Sequence, residues 1–171
     1  MKFDFSDPKV RKNLYDLYEK PTVNKLREVI GKELSDKYIP KNARTIYESE
    51  GCYRTVYLVG KYAFKFPRCS FLYKENKVVL LDEHKLDYYL PSNIKEIKRW
   101  KTGNNEYLCP IEYYSDDNVL IIMKRAKVLD INFHQNKKNI LNKFIEFHDI
   151  QDGNYDVDLH EHNLGILNKR W

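Results

Sequence analysis

The sequence predicts an α+β fold that combines helices with an antiparallel sheet, and three observations lead to this prediction. Apolar residues recur at helical spacing up to about Thr45. From there the chain contains short runs rich in β-branched and aromatic residues, which favour strands. Gly60-Lys61 lies between two such runs and is typical of the tight turn of an antiparallel hairpin. The length of 171 residues suits one domain of ordinary size.

The first 44 residues predict an N-terminal helical extension. Ser6-Asp7-Pro8 combines capping residues with a proline in the first turn, and Pro21-Thr22 restarts the pattern. Pro40 ends the second helix. The apolar stripes are Val10, Leu14 and Leu17 in the first helix and Val23, Leu26, Ile30 and Leu34 in the second.

Residues 45–126 predict a five-stranded antiparallel sheet with one helix. The predicted strands are Thr45–Tyr47, Thr55–Val59, Tyr62–Phe66, Ile111–Tyr114 and Val119–Met123. Residues 71–100 are mixed, with a helix predicted over Ser92–Lys101 after Pro91. Residues 127–171 predict a smaller part: a helix over Asn136–His148, a polar loop and a strand over Leu164–Leu167.

The bulk composition excludes several classes of protein. A content of 42% hydrophobic residues argues against a disordered tail, and no apolar run approaches the ~20 residues that span a bilayer. We see no secretory signal, so we expect a cytoplasmic protein without a membrane partner. Three cysteines without a CxxC pair indicate reduced thiols rather than a zinc site. The net charge of +5 suits a phosphate-bearing partner, but the basic residues are spread along the chain as on an ordinary solvated surface.

The polar loop contains the pattern with the most chemical content. Asp158 is followed by Asn163 five residues later, with His160 between them. A carboxylate that orients a hydroxyl and an oxygen ligand for Mg²⁺ are the groups that phosphoryl transfer requires. The spacing resembles the D-x-x-x-x-N catalytic loop of protein kinases, and with His160 it looks more like the D-x-H-x-x-N loop of aminoglycoside phosphotransferases. The resemblance implies that Asp158 is the catalytic base, that His160 holds the loop and that Asn163 binds Mg²⁺.

The chain upstream of this loop resembles the ATP-binding part of the same protein-kinase-like superfamily. Gly51 lies where a kinase has its glycine-rich loop, although Ser49 and Arg54 replace the flanking glycines, so Gly51 also fits an ordinary hairpin. Ala63-Phe64-Lys65 resembles the V-A-I-K strand whose lysine contacts the phosphates of ATP. Glu96 would be the ion-pair partner of Lys65. A strand lysine facing water and a glutamate on an exposed helix face are the plain alternatives for these two residues.

The resemblance also implies a hinge after the fifth strand. There the backbone of Lys124 and Ala126 would contact the adenine of ATP. It further implies a second metal-binding aspartate on a strand after Leu164–Leu167, and none occurs before Trp171. We therefore expect weakened catalysis, from a shortened chain, a site completed by a partner, or a pseudokinase that binds nucleotide without transferring phosphate.

A metal-dependent hydrolase or nuclease is a rival interpretation. His148, His160 and His162, with Asp158 and Glu161, could ligate a divalent ion. However, no H-E-x-x-H helix occurs, and the aromatic residues lie in apolar segments, which argues against a nucleic-acid partner. We expect an ATP- and Mg²⁺-dependent phosphotransferase whose acceptor is a hydroxyl group, on a protein as the first choice and on a small molecule as the second.

Overall fold

The computed structural model of the chain describes residues 3–50, 53–69, 71–74, 77–80, 83–102, 109–128 and 165–166. Its helices are α1 (Pro8–Glu19), α2 (Val23–Tyr38) and α3 (Glu83–Lys101). Its strands are β1 (Tyr47–Glu50), β2 (Arg54–Val59), β3 (Tyr62–Pro67), β4 (Phe71–Lys74), β5 (Lys77–Leu80), β6 (Ile111–Tyr114), β7 (Ile121–Lys124), β8 (Lys127–Val128) and β9 (Gly165–Ile166).

The main sheet has five strands in the order β1-β2-β3-β7-β6, and every neighbouring pair is antiparallel. This confirms the predicted α+β class and the five-stranded antiparallel sheet. β4 and β5, which follow β3 and precede α3 in the chain, pair with each other in a separate hairpin. β8 and β9 form a second two-stranded sheet, in which Val128 pairs with Gly165.

The N-terminal helices form at the predicted places because their first turns are capped. The Asp7 side chain accepts a hydrogen bond from the backbone N–H of Lys9, and Thr22 accepts one from Lys25. Gly31 interrupts α2 with a φ of 80°, a left-handed conformation that costs glycine little. The predicted apolar stripes of both helices are buried.

The helices and the sheet share one hydrophobic core. The N-terminal segment and α1 and α2 pack on one face of the sheet, which we call the core face. Three pairs of aromatic rings span this contact, Phe3 with Phe66, Tyr18 with Tyr57 and Tyr38 with Tyr62, at centroid distances of 6.3, 6.3 and 5.2 Å. The core face also carries Phe64 and Ile122, both fully buried.

Three details of the sequence prediction were wrong. α3 starts at Glu83, nine residues before the predicted Ser92, with Pro91 inside it. Pro91 removes one backbone hydrogen bond, but the helix continues across it. The β4–β5 hairpin was not predicted, and β1 begins at Tyr47, where the predicted strand was to end.

The remaining predictions for the second half agree only in part with the described residues. β7 was predicted over Val119–Met123 and starts two residues later, at Ile121. β9 covers the two central residues of the predicted strand Leu164–Leu167. The helix predicted over Asn136–His148 lies outside the described residues. In the part of the chain that is described, no helix combines the length and apolar character needed to cross a bilayer.

Candidate functional site

α3 packs on the second face of the sheet, mainly against β3. Residues paired across neighbouring strands point to the same face, so Lys65 shares its face with Val56 on β2 and Ile121 on β7. We call this the α3 face. Its side chains on β2, β3 and β7 are Arg54, Val56, Leu58, Ala63, Lys65, Pro67, Ile121 and Met123.

The α3 face changes from apolar to cationic along β3. At its apolar end Ala63 is paired with Leu58 on one side and Met123 on the other. Lys65 lies two residues further along β3, at a distance of about 7 Å along the strand. Arg54 pairs with Pro67 in the next cross-strand pair of the α3 face, beyond the pair formed by Val56 and Lys65. Leu58 is partly exposed, whereas Ala63 and Met123 are each only 6% exposed, so solvent reaches this end of the face on its β2 side.

Lys65 and Glu96 form an ion pair between β3 and α3. The Nζ of Lys65 donates a hydrogen bond of 2.8 Å to Oε1 of Glu96. The Lys65 side chain is 16% exposed and that of Glu96 24% exposed, so neither projects freely into water. The structure therefore brings these two predicted residues together, and both plain alternatives fail, since Lys65 is paired and Glu96 is not on an open helix face.

Arg54 is a second cation at the same carboxylate. Its guanidinium donates to Oε2 of Glu96, so each carboxylate oxygen has its own cationic partner. Burial alone would raise the pKa of Glu96, but the charges and hydrogen bonds of Lys65 and Arg54 outweigh it and lower the pKa to about 2. Glu96 is therefore ionised at neutral pH, and the cluster carries two positive charges against one negative charge.

The position of α3, and so of Glu96, is fixed by contacts at two points. Asn93 is fully buried one turn before Glu96, and its Nδ2 donates to the backbone carbonyls of Asn118 and Val119 at 2.8 and 3.2 Å. At the end of α3, the ammonium group of Lys101 lies 4.5 Å from the centre of the Tyr114 ring. These contacts attach α3 to the β6–β7 hairpin, which holds the Glu96 carboxylate over β3.

The predicted hinge lies at the apolar end of the α3 face, directly after Met123. The backbone N–H of Lys124 donates to the carbonyl of Pro110 at 2.9 Å, and that of Arg125 donates to the carbonyl of Lys61 at 2.8 Å. The ammonium group of Lys124 lies 3.3 Å from the carboxylate of Glu112. The segment is therefore held by neighbouring strands through its own backbone.

Cys109 directly precedes Pro110, whose carbonyl accepts the hydrogen bond from Lys124. Burial raises the pKa of its thiol, while the charge of Lys65 and a hydrogen bond with the backbone of Ala126 act to lower it.

The other predicted site residues lie outside the described residues. These are Gly51, Asp158, His160 and Asn163, and their roles stay predictions. The ligand set of the rival hydrolase, with His148, His162 and Glu161, lies outside as well. Within the described ranges, no group of three or more His, Cys, Asp or Glu side chains is placed to hold a metal ion.

Sequence reasoning missed three residues of the cluster and its surroundings. Arg54 was noted only as a departure from a glycine, although period-two alternation along β2 places it on the same face as Val56. Cys109 was interpreted as an ordinary thiol. Asn93 carried no signal, because its role depends on the β6–β7 turn being folded against α3.

No protein-family model matches the chain, and neither a curated protein nor a solved structure matches it. The function of the chain is therefore inferred from its own geometry and from the resemblance of its motifs.

Proposed function

We propose that the α3 face binds ATP and that the chain is a protein-kinase-like phosphotransferase, which moves the γ-phosphoryl group of ATP to a hydroxyl group. The observation that carries this proposal is the Lys65–Glu96 ion pair on the partly open side of the sheet. A lysine on the third strand that is paired with a glutamate on the following helix is the arrangement that protein kinases require for phosphate binding.

The polarity of the α3 face supports a nucleotide as the ligand. A nucleotide has a flat, largely apolar base at one end and anionic phosphates at the other. The apolar row of Leu58, Ala63 and Met123 suits the base, and Lys65 and Arg54 suit the phosphates. With the base at the apolar end, its polar edge would face the backbone that follows Met123.

The order of elements also supports a kinase-like fold. A five-stranded antiparallel sheet, a helix inserted before β6 and a segment directly after β7 occur in the order that the resemblance implies. The β8–β9 pair joins residues just after Ala126 to residues just after Asn163. This pairing favours a catalytic loop that returns to the hinge side of the sheet.

The proposed reaction assigns a role to four of the predicted residues. Lys65 holds the phosphates, and Glu96 holds Lys65. Asp158 orients the acceptor hydroxyl and takes its proton, as the oxygen bonds to the γ-phosphorus and ADP leaves. Asn163 contributes an oxygen ligand to Mg²⁺, which supplies charge neutralisation when bound. The acceptor is a serine or threonine hydroxyl of a protein as the first choice and a small molecule as the second.

A nucleotide-binding module without catalysis is the second candidate. It is favoured by Ser49 and Arg54 in place of the flanking glycines of the kinase phosphate loop, and by the sharing of Glu96 between two cations. Both candidates require the same nucleotide site. They differ in whether phosphate is transferred once ATP is bound.

Replacement of Lys65 by alanine tests the shared nucleotide site. We expect the wild-type chain to bind Mg²⁺-ATP in a calorimetric titration, and Lys65→Ala to weaken this binding by about 10- to 100-fold, because a charge-assisted contact to phosphate is lost. The matched control is Lys61→Ala, which removes an exposed lysine from the β2–β3 turn. Absence of binding by the wild type, or equal losses in the two variants, would contradict the proposal.

A further inference from the structure

Arg54 has no task in the proposed reaction, yet it lies inside the site. Arg54 is the first residue of β2. Its side chain is 28% exposed, and its guanidinium contacts Glu96. Among the described residues, Glu96 is the carboxylate that both Arg54 and Lys65 contact. Two cations thus share one carboxylate in a partly buried place, where an uncompensated charge is costly and a further anion would be stabilising.

The position of Arg54 along the sheet fits the far end of a phosphate chain. Lys65 is paired with Val56, and Arg54 is paired with Pro67 in the next row of the same face, away from the apolar end. A ligand whose base contacts Ala63 would therefore meet Lys65 first and Arg54 second. A guanidinium is suited to this second contact, because its planar fork can donate two parallel hydrogen bonds to a phosphate.

The backbone that carries Arg54 is held in place before any ligand arrives. The Tyr53 ring lies 6.2 Å from the rings of both Tyr88 and Tyr89 on α3. The carbonyl of Tyr53 accepts a hydrogen bond of 2.9 Å from the backbone N–H of Arg68. The start of β2 is thus attached to α3 and to the end of β3, so little ordering is needed when the guanidinium changes partner.

We propose that Arg54 is a second phosphate-binding residue, which Glu96 holds beside Lys65 until the terminal phosphate of a nucleoside di- or triphosphate takes over as the partner of its guanidinium. This inference rests on the proposed nucleotide site and extends it to the part of the ligand that Lys65 does not reach. It predicts that the affinity rises with the length of the phosphate chain, since Arg54 lies one row further from the apolar end than Lys65.

The test compares ligands of different phosphate number in calorimetric titrations without metal, in the presence of EDTA. The ligands are AMP, ADP, ATP and inorganic tripolyphosphate, and the variants are Arg54→Gln, Arg54→Lys and the control Arg27→Gln on α2, which packs on the opposite, core face of the sheet. We expect Arg54→Gln to weaken ATP and tripolyphosphate by about tenfold and AMP by less than about twofold. Arg54→Lys should restore part of the loss, and Arg27→Gln should change nothing.

The outcomes separate this inference from the proposal on which it rests. Equal weakening of AMP and ATP by Arg54→Gln would overturn the inference, because a residue that only holds α3 in place affects every nucleotide alike. Lys65-dependent ATP binding that Arg54→Gln leaves unchanged would overturn the inference alone. Arg54-dependent binding of tripolyphosphate without any binding of adenine nucleotides would overturn both, because the proposed partner of Arg54 is a nucleotide phosphate. No binding of any ligand by the wild type would overturn both.

Discussion

Asp158→Ala is expected to abolish phosphate transfer while leaving the affinity for Mg²⁺-ATP within about twofold of the wild type. A positioned general base contributes typically about 10²–10⁴-fold to a rate, so the loss should be at least about a hundredfold. ATP binding should survive, because the contacts that we assign to the nucleotide come from β2, β3, α3 and the hinge. Transfer would be measured from γ-labelled ATP to a mixture of protein and small-molecule hydroxyl acceptors, with calorimetry on the same samples.

Glu161→Ala is the matched control for this experiment, since it removes a carboxylate from the same polar segment. Equal activity of Asp158→Ala and the wild type, or an equal loss in Glu161→Ala, would contradict the assignment of Asp158 as the base. A wild-type chain that binds ATP but transfers no phosphate to any acceptor would instead favour the nucleotide-binding module.

Phe64→Ala is expected to lower the free energy of unfolding by about 3–5 kcal/mol. Phe64 is fully buried on the core face, among side chains of the sheet and the N-terminal helices, so its truncation leaves a cavity in the core. Leu58→Ala, on the α3 face, should cost clearly less than Phe64→Ala, because Leu58 is partly exposed whereas Phe64 is fully buried. Urea unfolding followed by circular dichroism would measure both free energies of unfolding.

The comparison bears on function as well as on packing. Equal costs for the two variants would mean that Leu58 is packed as tightly as a core residue, which would leave no surface for a base on the α3 face. A single unfolding transition for helices and sheet together is also expected, because both contribute to one core.

The sequence predicted the elements whose signals are local. The stripes of α1 and α2, the caps at Asp7 and Thr22 and the β2–β3 hairpin follow from spacing and turn chemistry alone. The start of α3 was misplaced because Pro91 was interpreted as a boundary, whereas the backbone of this helix tolerates it. The β4–β5 hairpin is short and has little alternation of polar and apolar residues, so a pattern of period two does not reveal it.

The part of the candidate site that belongs to recognisable motifs was predictable from the sequence. Lys65 and Glu96 were paired from the order of elements, and the structure places them in contact. The contribution of Arg54 depends on the register between β2 and β3, and that of Cys109 depends on how β6 lies beside β7. Alternation along β2 indicates the face on which Arg54 lies, but the register between strands, which the spacing within one strand does not give, decides which residues it contacts.

The most direct test of the account is to observe a nucleotide on the α3 face. The sequence contains two methionines, Met1 and Met123, so selective ¹³C labelling of methionine methyl groups gives a simple spectrum, which Met123→Leu would assign. We expect the Met123 methyl signal to shift in a saturable manner as Mg²⁺-ATP is added, and to require higher concentrations in Lys65→Ala, since Met123 is the strand partner of Ala63 beside the hinge. An unchanged Met123 signal at ATP concentrations that saturate binding would place the nucleotide elsewhere and would contradict the account.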